Sequence, residues 1–245
     1  MTGLRKYRNR YQAVSFSACL VCLVCLICLV CDGAGEDRSR PENQHVKITK
    51  LKGGMSEGTG SDVVVVLSAG GLQGSGVIWN EGKDGLLILT AAHVLEEAEG
   101  AVKVTFAGGW EITATGIQCF EGIDLAAVLI PREMIPKKQT ARFYVVRVRK
   151  DSFDELKPGD FCVAVGMCGE EGKDSTGKIL APWIYMEDYG QYMLWAEAGI
   201  EPGMSGGGLF DIEGNFLGII SGGAEGELAA VPLSLIQGVL EPQDL

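Results

Sequence analysis

From Asp62 onward the chain is written in short apolar runs, each broken by a turn residue before it grows long enough for a helix. Candidate strands are VVVVLS (63–68), GVIWN (76–80), GLLILT (85–90), AVKVTF (101–106), EITATGIQCF (111–120) and DLAAVLI (124–130). The series continues with ARFYVVRV (141–148), DFCVAVG (160–166), KILAPWIY (178–185), YMLWAE (192–197) and FLGIISG (216–222). Gly, Pro, Asn or Asp punctuates most gaps. So many β-rich runs at near-regular spacing specify an all-β chain, a barrel or a sandwich. Only Leu233–Leu240 reads as a helix of any conviction. No internal repeat and no low-complexity segment interrupts the pattern. With 245 residues, 47% of them hydrophobic, the chain can fill one large domain or two small ones, and a disordered chain is excluded.

The N-terminal part obeys different rules. Residues 13–31 (AVSFSACLVCLVCLICLVC) carry no charge. As a helix rising about 1.5 Å per residue, this run reaches roughly 28 Å, close to the hydrocarbon thickness of a bilayer. The segment before it, 1–12, holds Arg5, Lys6, Arg8 and Arg10, whereas Asp32, Glu36 and Asp37 follow it. That bias keeps the N-terminus cytoplasmic and sends the body outward. The run is long for a cleaved signal, so a signal-anchor is the first reading and a signal peptide cut near Gly33–Gly35 the second. Residues 32–60 read as a polar linker, with HVKITKL (45–51) a possible extra strand, and 61–241 as the folded domain.

Net charge is −11. All charges in residues 1–31 are positive, so the body is more acidic still, and nucleic acid is not an expected partner. Five of the eight cysteines (Cys19, Cys22, Cys25, Cys28, Cys31) lie in the apolar run. At every third position of a helix they spiral rather than share a face, so they read as small apolar residues, with lipidation a minor alternative. Cys119, Cys162 and Cys168 are an odd number and cannot all pair with one another; buried free thiols are the default. No metal or cofactor is called for.

Three residues carry potential chemistry. The chain has two histidines: His45 in the polar linker, and His93 in T-A-A-H-V where an apolar run ends. Asp124, in G-I-D-L-A-A-V, is the last polar residue before another run. Ser205 lies in E-P-G-M-S-G-G-G-L-F. Glycines let successive backbone N–H groups converge, as a side chain would not. Such a nest beside a serine hydroxyl offers acyl transfer a nucleophile and an oxyanion hole together.

T-A-A-H-V, then D-L-A-A-V 31 residues after His93, then G-M-S-G-G-G-L a further 81 residues on, occur in the order His, Asp, Ser. This resembles the trypsin-like, chymotrypsin-fold serine proteases, and within them the bacterial HtrA/Deg type. G-S-G-V-I (74–78), P-G-D-F-C-V-A-V-G (158–166) and F-L-G-I-I-S-G-G (216–223) extend the likeness over about 62–240. The resemblance implies two six-stranded antiparallel β-barrels with the active site in the crevice between them. It implies a serine endopeptidase working outside the cytoplasm on polypeptide substrates, with a triad of His93, Asp124 and Ser205 and an oxyanion hole from the N–H groups of Gly203 and Ser205. Gly199, Ile200, Ser221, Gly222 and Gly223 would line the primary specificity pocket, Ala229 and Ala230 more loosely. No acid falls at its floor, so a small or medium aliphatic side chain is the expected guest.

Departures are equally specific. Met204 stands where trypsin and its digestive relatives carry Asp, and no Ile-Val-Gly-Gly start is present, so zymogen activation of that kind is not expected. Only 40 residues follow Ser205, so a PDZ module of the HtrA type is expected to be missing or supplied by another chain. Two further readings stay open: a catalytically silent barrel used for binding or chaperoning, and a hydrolase of small esters or amides with the same triad.

Overall fold

The computed structural model describes residues 60–139 and 143–240. The apolar run 13–31, the linker, His45 and the possible strand 45–51 lie outside them. Among the described residues no helix is long and apolar enough to cross a membrane.

In the first half, β1 (Val64–Ala69), β2 (Leu72–Glu81), β3 (Gly85–Thr90), β4 (Val102–Thr105), β5 (Glu111–Ala114), β6 (Gly116–Cys119) and β7 (Ala126–Pro131) form one antiparallel sheet, ordered β5-β4-β1-β2-β3-β7-β6. The run 111–120, expected as one strand, is two. It breaks at Thr115; β5 pairs with β4 while β6 pairs with β7, so a single residue joins the two edges of the sheet. This is why seven strands stand where six were expected; the sheet is barrel-like, its edges β5 and β6 joined through the chain and not by a ladder of hydrogen bonds.

In the second half, β8 (Phe161–Cys168), β9 (Glu171–Met186), β10 (Gln191–Glu197), β11 (Gly208–Asp211), β12 (Phe216–Ala224) and β13 (Glu227–Pro232) close into a six-stranded barrel, ordered β10-β13-β12-β11-β8-β9. A helix, Leu233–Leu240, ends the described chain where the sequence places it. A five-residue helix, Lys150–Asp154, was not foreseen.

Strand alternation sorts the second barrel's side chains between two cores. Cys162, Ala164, Leu194, Leu209, Ile220, Leu228 and Ala230 fill its interior. Val163, Val165, Met167, Met193, Phe216, Ile219, Ala229 and Val231 face the other way and join the first sheet's core. Trp79 of β2 meets Phe216 of β12 edge-to-face across this seam, with ring centroids 5.7 Å apart. Because β1 is buried along nearly its whole length, Val64–Leu67 is a continuous apolar run rather than an alternating one.

The expected strand at 141–148 is a correction. Residues 141–142 lie outside the described set, and the rest is an extended connection with one isolated parallel bridge, Arg147 to Asn215. Val146 N–H donates to Ile78 O at 3.0 Å in the first sheet, while Arg147 O accepts from Phe216 N–H at 2.8 Å in the second. Its consecutive apolar residues, 143–146, read as a strand because the segment is packed between the two units.

Cys162 is buried, and burial pushes its thiol up to about 12 against a bond from Gly177, so it is an inert packing residue. Cys168 is half-buried. Cys119 is exposed on β6, contrary to the expectation that all three are buried; all are free thiols.

Candidate active site

The register of two strands brings His93 and Asp124 together. β3 pairs with β7 so that Thr90 faces Ala126. His93 follows Thr90 by three residues in the 3-10 turn Ala92–Leu95, and Asp124 precedes Ala126 by two. Both therefore hang from the same end of one strand pair. His93 Nδ1 lies 3.0 Å from Asp124 Oδ2 and 3.2 Å from Oδ1. Asp124 Oδ1 also accepts the backbone N–H of His93 at 3.1 Å. Ring and main chain are thus gripped by one carboxylate, which fixes the ring's orientation and leaves Nε2 as the outer nitrogen.

Burial works against the charge on His93, but its hydrogen bond with Asp124 and the charges of Asp124 and Glu96 outweigh it and raise the imidazole above its usual range. Burial likewise works against the Asp124 carboxylate, and the hydrogen bonds and charge from His93, with help from Ser221, hold it below its ordinary value. The buried Ser221 hydroxyl makes no bond of normal hydrogen-bond geometry among the described residues; the Asp124 carboxylate is the group it supports electrostatically.

Two consecutive tight turns share Met204, and Ser205 is the second residue of the latter. Met204 N–H donates to Glu201 O at 3.0 Å, with Pro202 second and Gly203, at φ +98°, third in the turn. This is the type II signature, in which only the third residue needs positive φ. Gly207 N–H then donates to Met204 O at 2.9 Å, with Gly206 at φ +84°. Met204, 2% exposed, packs inward against Gly166, where a Cβ would lie 2.7 Å from its Cα. The N–H groups of Gly203 and Ser205 donate to no atom among the described residues. Ser205 thus carries one unpaired amide donor among the described residues, and Gly203, two residues before it, carries another.

The first sheet reaches across to this turn. Ser75 N–H on β2 donates to Ser205 O at 2.7 Å. A Cβ on neighbouring Gly74 would lie 2.7 Å from Val94 Cγ1 and 3.0 Å from Ser205 O, so the residue after His93 and the main chain of Ser205 close on opposite sides of one glycine. Only a residue without a side chain fits there. The Ser205 hydroxyl and the His93 ring make no hydrogen bond to each other. The second barrel returns the contact: Gln191, buried at the start of β10, accepts the Asp124 backbone N–H at 3.1 Å.

The expected pocket residues separate into groups. Gly199 is exposed, with Ser175 Oγ 3.6 Å from where its Cβ would be, and Ile200 is half-buried against the second barrel's core. Ser221, Gly222 and Gly223 lie along β12, and Gly222 pairs with Ala229. A Cβ on Gly222 would be 3.1 Å from the Tyr189 hydroxyl, whose pKa burial and the nearby Asp124 push up to about 12. Ala230 points into the barrel interior and Ala229 is buried on the opposite face, so neither is an open wall. Among the described residues no group of three His, Cys, Asp or Glu side chains is placed to hold a metal. Sequence reasoning passed over Ser75, Gln191 and Tyr189. Ser75 lies inside G-S-G-V-I, where two flanking glycines signalled close approach; Gln191 and Tyr189 had no such signal.

The chain is similar to known proteases. The Trypsin-like peptidase domain family matches residues 74–219. The chain is 33% identical over 176 residues to a probable periplasmic serine endoprotease, DegP-like, of Hahella chejuensis, covering 68% of this chain and 34% of that protein. It is 30% identical over 163 residues to the putative serine protease HhoB of Synechocystis, covering 63% and 36%. It also matches the solved structure of the HtrA-type protease AlgW with tripeptide: 26% identity, TM-score 0.60, covering 74% of this chain and 61% of that one. The chain therefore spans about a third of the length of these curated relatives.

Proposed function

Because the chain belongs to the Trypsin-like peptidase domain family, we propose that it is a serine endopeptidase in which Ser205 is the nucleophile, His93 the general base and Asp124 its orienting carboxylate. The observation that carries this reading is the pair of unpaired N–H groups, Gly203 and Ser205, beside a serine on a turn anchored next to the His93–Asp124 pair. Asp124 on Nδ1 leaves Nε2 to take the Ser205 proton as the hydroxyl attacks a carbonyl. The attacked oxygen becomes an anion, and the two amide donors receive it; such a donor is worth about 10²–10³ in rate. The imidazolium then passes its proton to the leaving amine, and water repeats the sequence on the acyl-enzyme. Nucleophile and base need not be bonded before substrate arrives, since catalytic hydrogen bonds tighten in the complex.

Gly199, Ile200, Ser221, Gly222 and Gly223 form the primary pocket in this reading, with an aliphatic side chain as guest. Residues 13–31 carry the body to the far side of a membrane. The basic flank of that run supports this, as do relatives named as periplasmic proteases. Protease shaving of intact spheroplasts should remove the body and spare residues 1–12.

Labelling with a fluorophosphonate probe tests the chemistry. The parent should be labelled at one serine; Ser205→Ala should not be labelled, and His93→Ala should react orders of magnitude more slowly. Equal labelling of Ser205→Ala would refute the assignment.

A further inference from the structure

Each peptide unit around the nucleophile offers a C=O and an N–H, and most of these are tied down. The Gly203–Met204 peptide is held at both ends: its C=O accepts the Ser75 hydroxyl at 2.7 Å, and its N–H donates to Glu201 O at 3.0 Å. The Ser205–Gly206 peptide is held in the same way, its C=O by Ser75 N–H and its N–H by Ile220 O, each at 2.7 Å. Between and before these two units lie the peptides whose N–H groups, on Ser205 and Gly203, are unpaired. Ser75 is the first-sheet residue that grips both. It is completely buried, and its remaining polar atoms are also committed. Its Oγ accepts Met167 N–H of β8 at 2.8 Å, and its C=O accepts the Thr90 hydroxyl at 2.7 Å.

We propose that Ser75 is a positioning residue whose hydroxyl keeps the oxyanion donors aimed outward by fixing the Gly203–Met204 peptide. Gly203 has positive φ, and glycine passes between backbone conformations at little steric cost. Without the Ser75 hydroxyl, its C=O is a buried acceptor with no partner, a state costly enough to drive rotation toward another donor. In that variant the uncommitted donors around it are Met167 N–H, which loses the same Ser75 Oγ, and Ser205 N–H two residues along the chain. Turning toward Ser205 N–H would spend an oxyanion donor on the protein's own carbonyl, and turning toward Met167 N–H would shift the peptide that lies between the two donors. Met167 N–H, left without Ser75 Oγ, adds a second reason for the turn to shift. The proposal rests on the roles given above to Ser205, Gly203 and His93.

The test is the kinetics of fluorophosphonate labelling in the full chain, comparing the parent, Ser75→Ala and Ser75→Cys. The phosphonyl oxygen occupies the oxyanion position, so the saturating rate constant reports on the donors and the half-saturating concentration on binding. Ser75→Ala should lower the saturating rate constant about 10²-fold, the scale of one lost donor. The half-saturating concentration should stay within about threefold, the end-point should remain one label per folded chain, and the pH midpoint set by His93 should not move. Ser75→Cys, close in size and a weaker donor, should fall between, and it decides the matter if Ser75→Ala does not fold. A rate constant within threefold of the parent, a change confined to half-saturation, or a loss only in the number of sites labelled would overturn the proposal. A parent that takes no label at all would instead refute the nucleophile assignment on which it stands.

Discussion

Gly206→Ala and Gly100→Ala make a matched pair that isolates how tightly the nucleophile turn is held against the first sheet. The two glycines have nearly the same φ, +84° and +83°. A Cβ on Gly100 meets nothing within 4 Å, whereas one on Gly206 would fall 2.1 Å from Ser75 O and 2.2 Å from Thr90 Oγ1. Both variants incur the left-handed backbone penalty for alanine, about 1–2 kcal/mol. Gly206→Ala must in addition push apart the buried hydrogen bond from the Thr90 hydroxyl to Ser75 O, 2.7 Å long. Stranding such a group costs about 1–3 kcal/mol, and the overpacking itself about 1–3 kcal/mol. Gly206→Ala should therefore lose roughly 3–8 kcal/mol and Gly100→Ala about 1–2 kcal/mol. Urea unfolding with an unchanged denaturant slope measures the difference. The fluorophosphonate rate should fall only in Gly206→Ala, because the Gly206 amide is bonded to Ile220 O and any shift carries Ser205 with it. Equal destabilisation in the two variants, with Gly206→Ala labelled at the parental rate, would refute the claim that Ser75 and Thr90 fix this turn.

With His93 as the proposed base, the labelling rate should rise with pH through a midpoint above the ordinary 6.5, and a midpoint below it would contradict the Asp124 interaction. The same pair gives stability a definite sign. The His93 contribution is complete below pH 6.5 and lost as pH rises through its raised folded value; that of Asp124 is present above pH 3.8 and lost as pH falls through its lowered one. Unfolding of His93→Ala should accordingly lose the alkaline-side dependence, measured as urea midpoint against pH. In a P1-position peptide library the parent should prefer small to medium aliphatic residues. Gly199→Asp, which adds a carboxylate where the Cβ meets only Ser175 Oγ at 3.6 Å, should shift the preference toward Lys and Arg. An unshifted profile would remove Gly199 from the pocket.

What could be read in the sequence was what has a local cause. Most strands announced themselves through β-branched runs, and the helix Leu233–Leu240 through its apolar spacing after Pro232. β11 (GLFD) and β13 (ELAAVP) did not, because glycine and alanine carry no strand signal and these strands are held by neighbours on both sides. The segment 143–148 misled for the opposite reason, since its apolar run reflects packing between two units and not strand pairing. His93, Asp124 and Ser205 stood out through their flanking motifs. Ser75 and Gln191 did not, because the partners that define them lie 128 and 67 residues away in the chain.

Those long-range bonds change how the site should be understood. The first sheet can align His93 and Asp124 alone, because β3 and β7 are neighbours in one register. The second barrel can build the turns around Ser205 alone, through bonds among Glu201, Met204 and Gly207 and from Gly206 to Ile220. Neither half, however, holds the Gly203 carbonyl, which depends on Ser75, or the Asp124 main-chain N–H, which depends on Gln191. Each unit thus supplies the last hydrogen bond of the other's half-site. The seam brings them within reach because Gly74 and Gly206 have no side chains to keep the backbones apart. A displacement that breaks the bond from Ser75 N–H to Ser205 O would also part Ser205 from the sheet that carries His93 and Asp124, so on this geometry the two units dock and the candidate site is completed together.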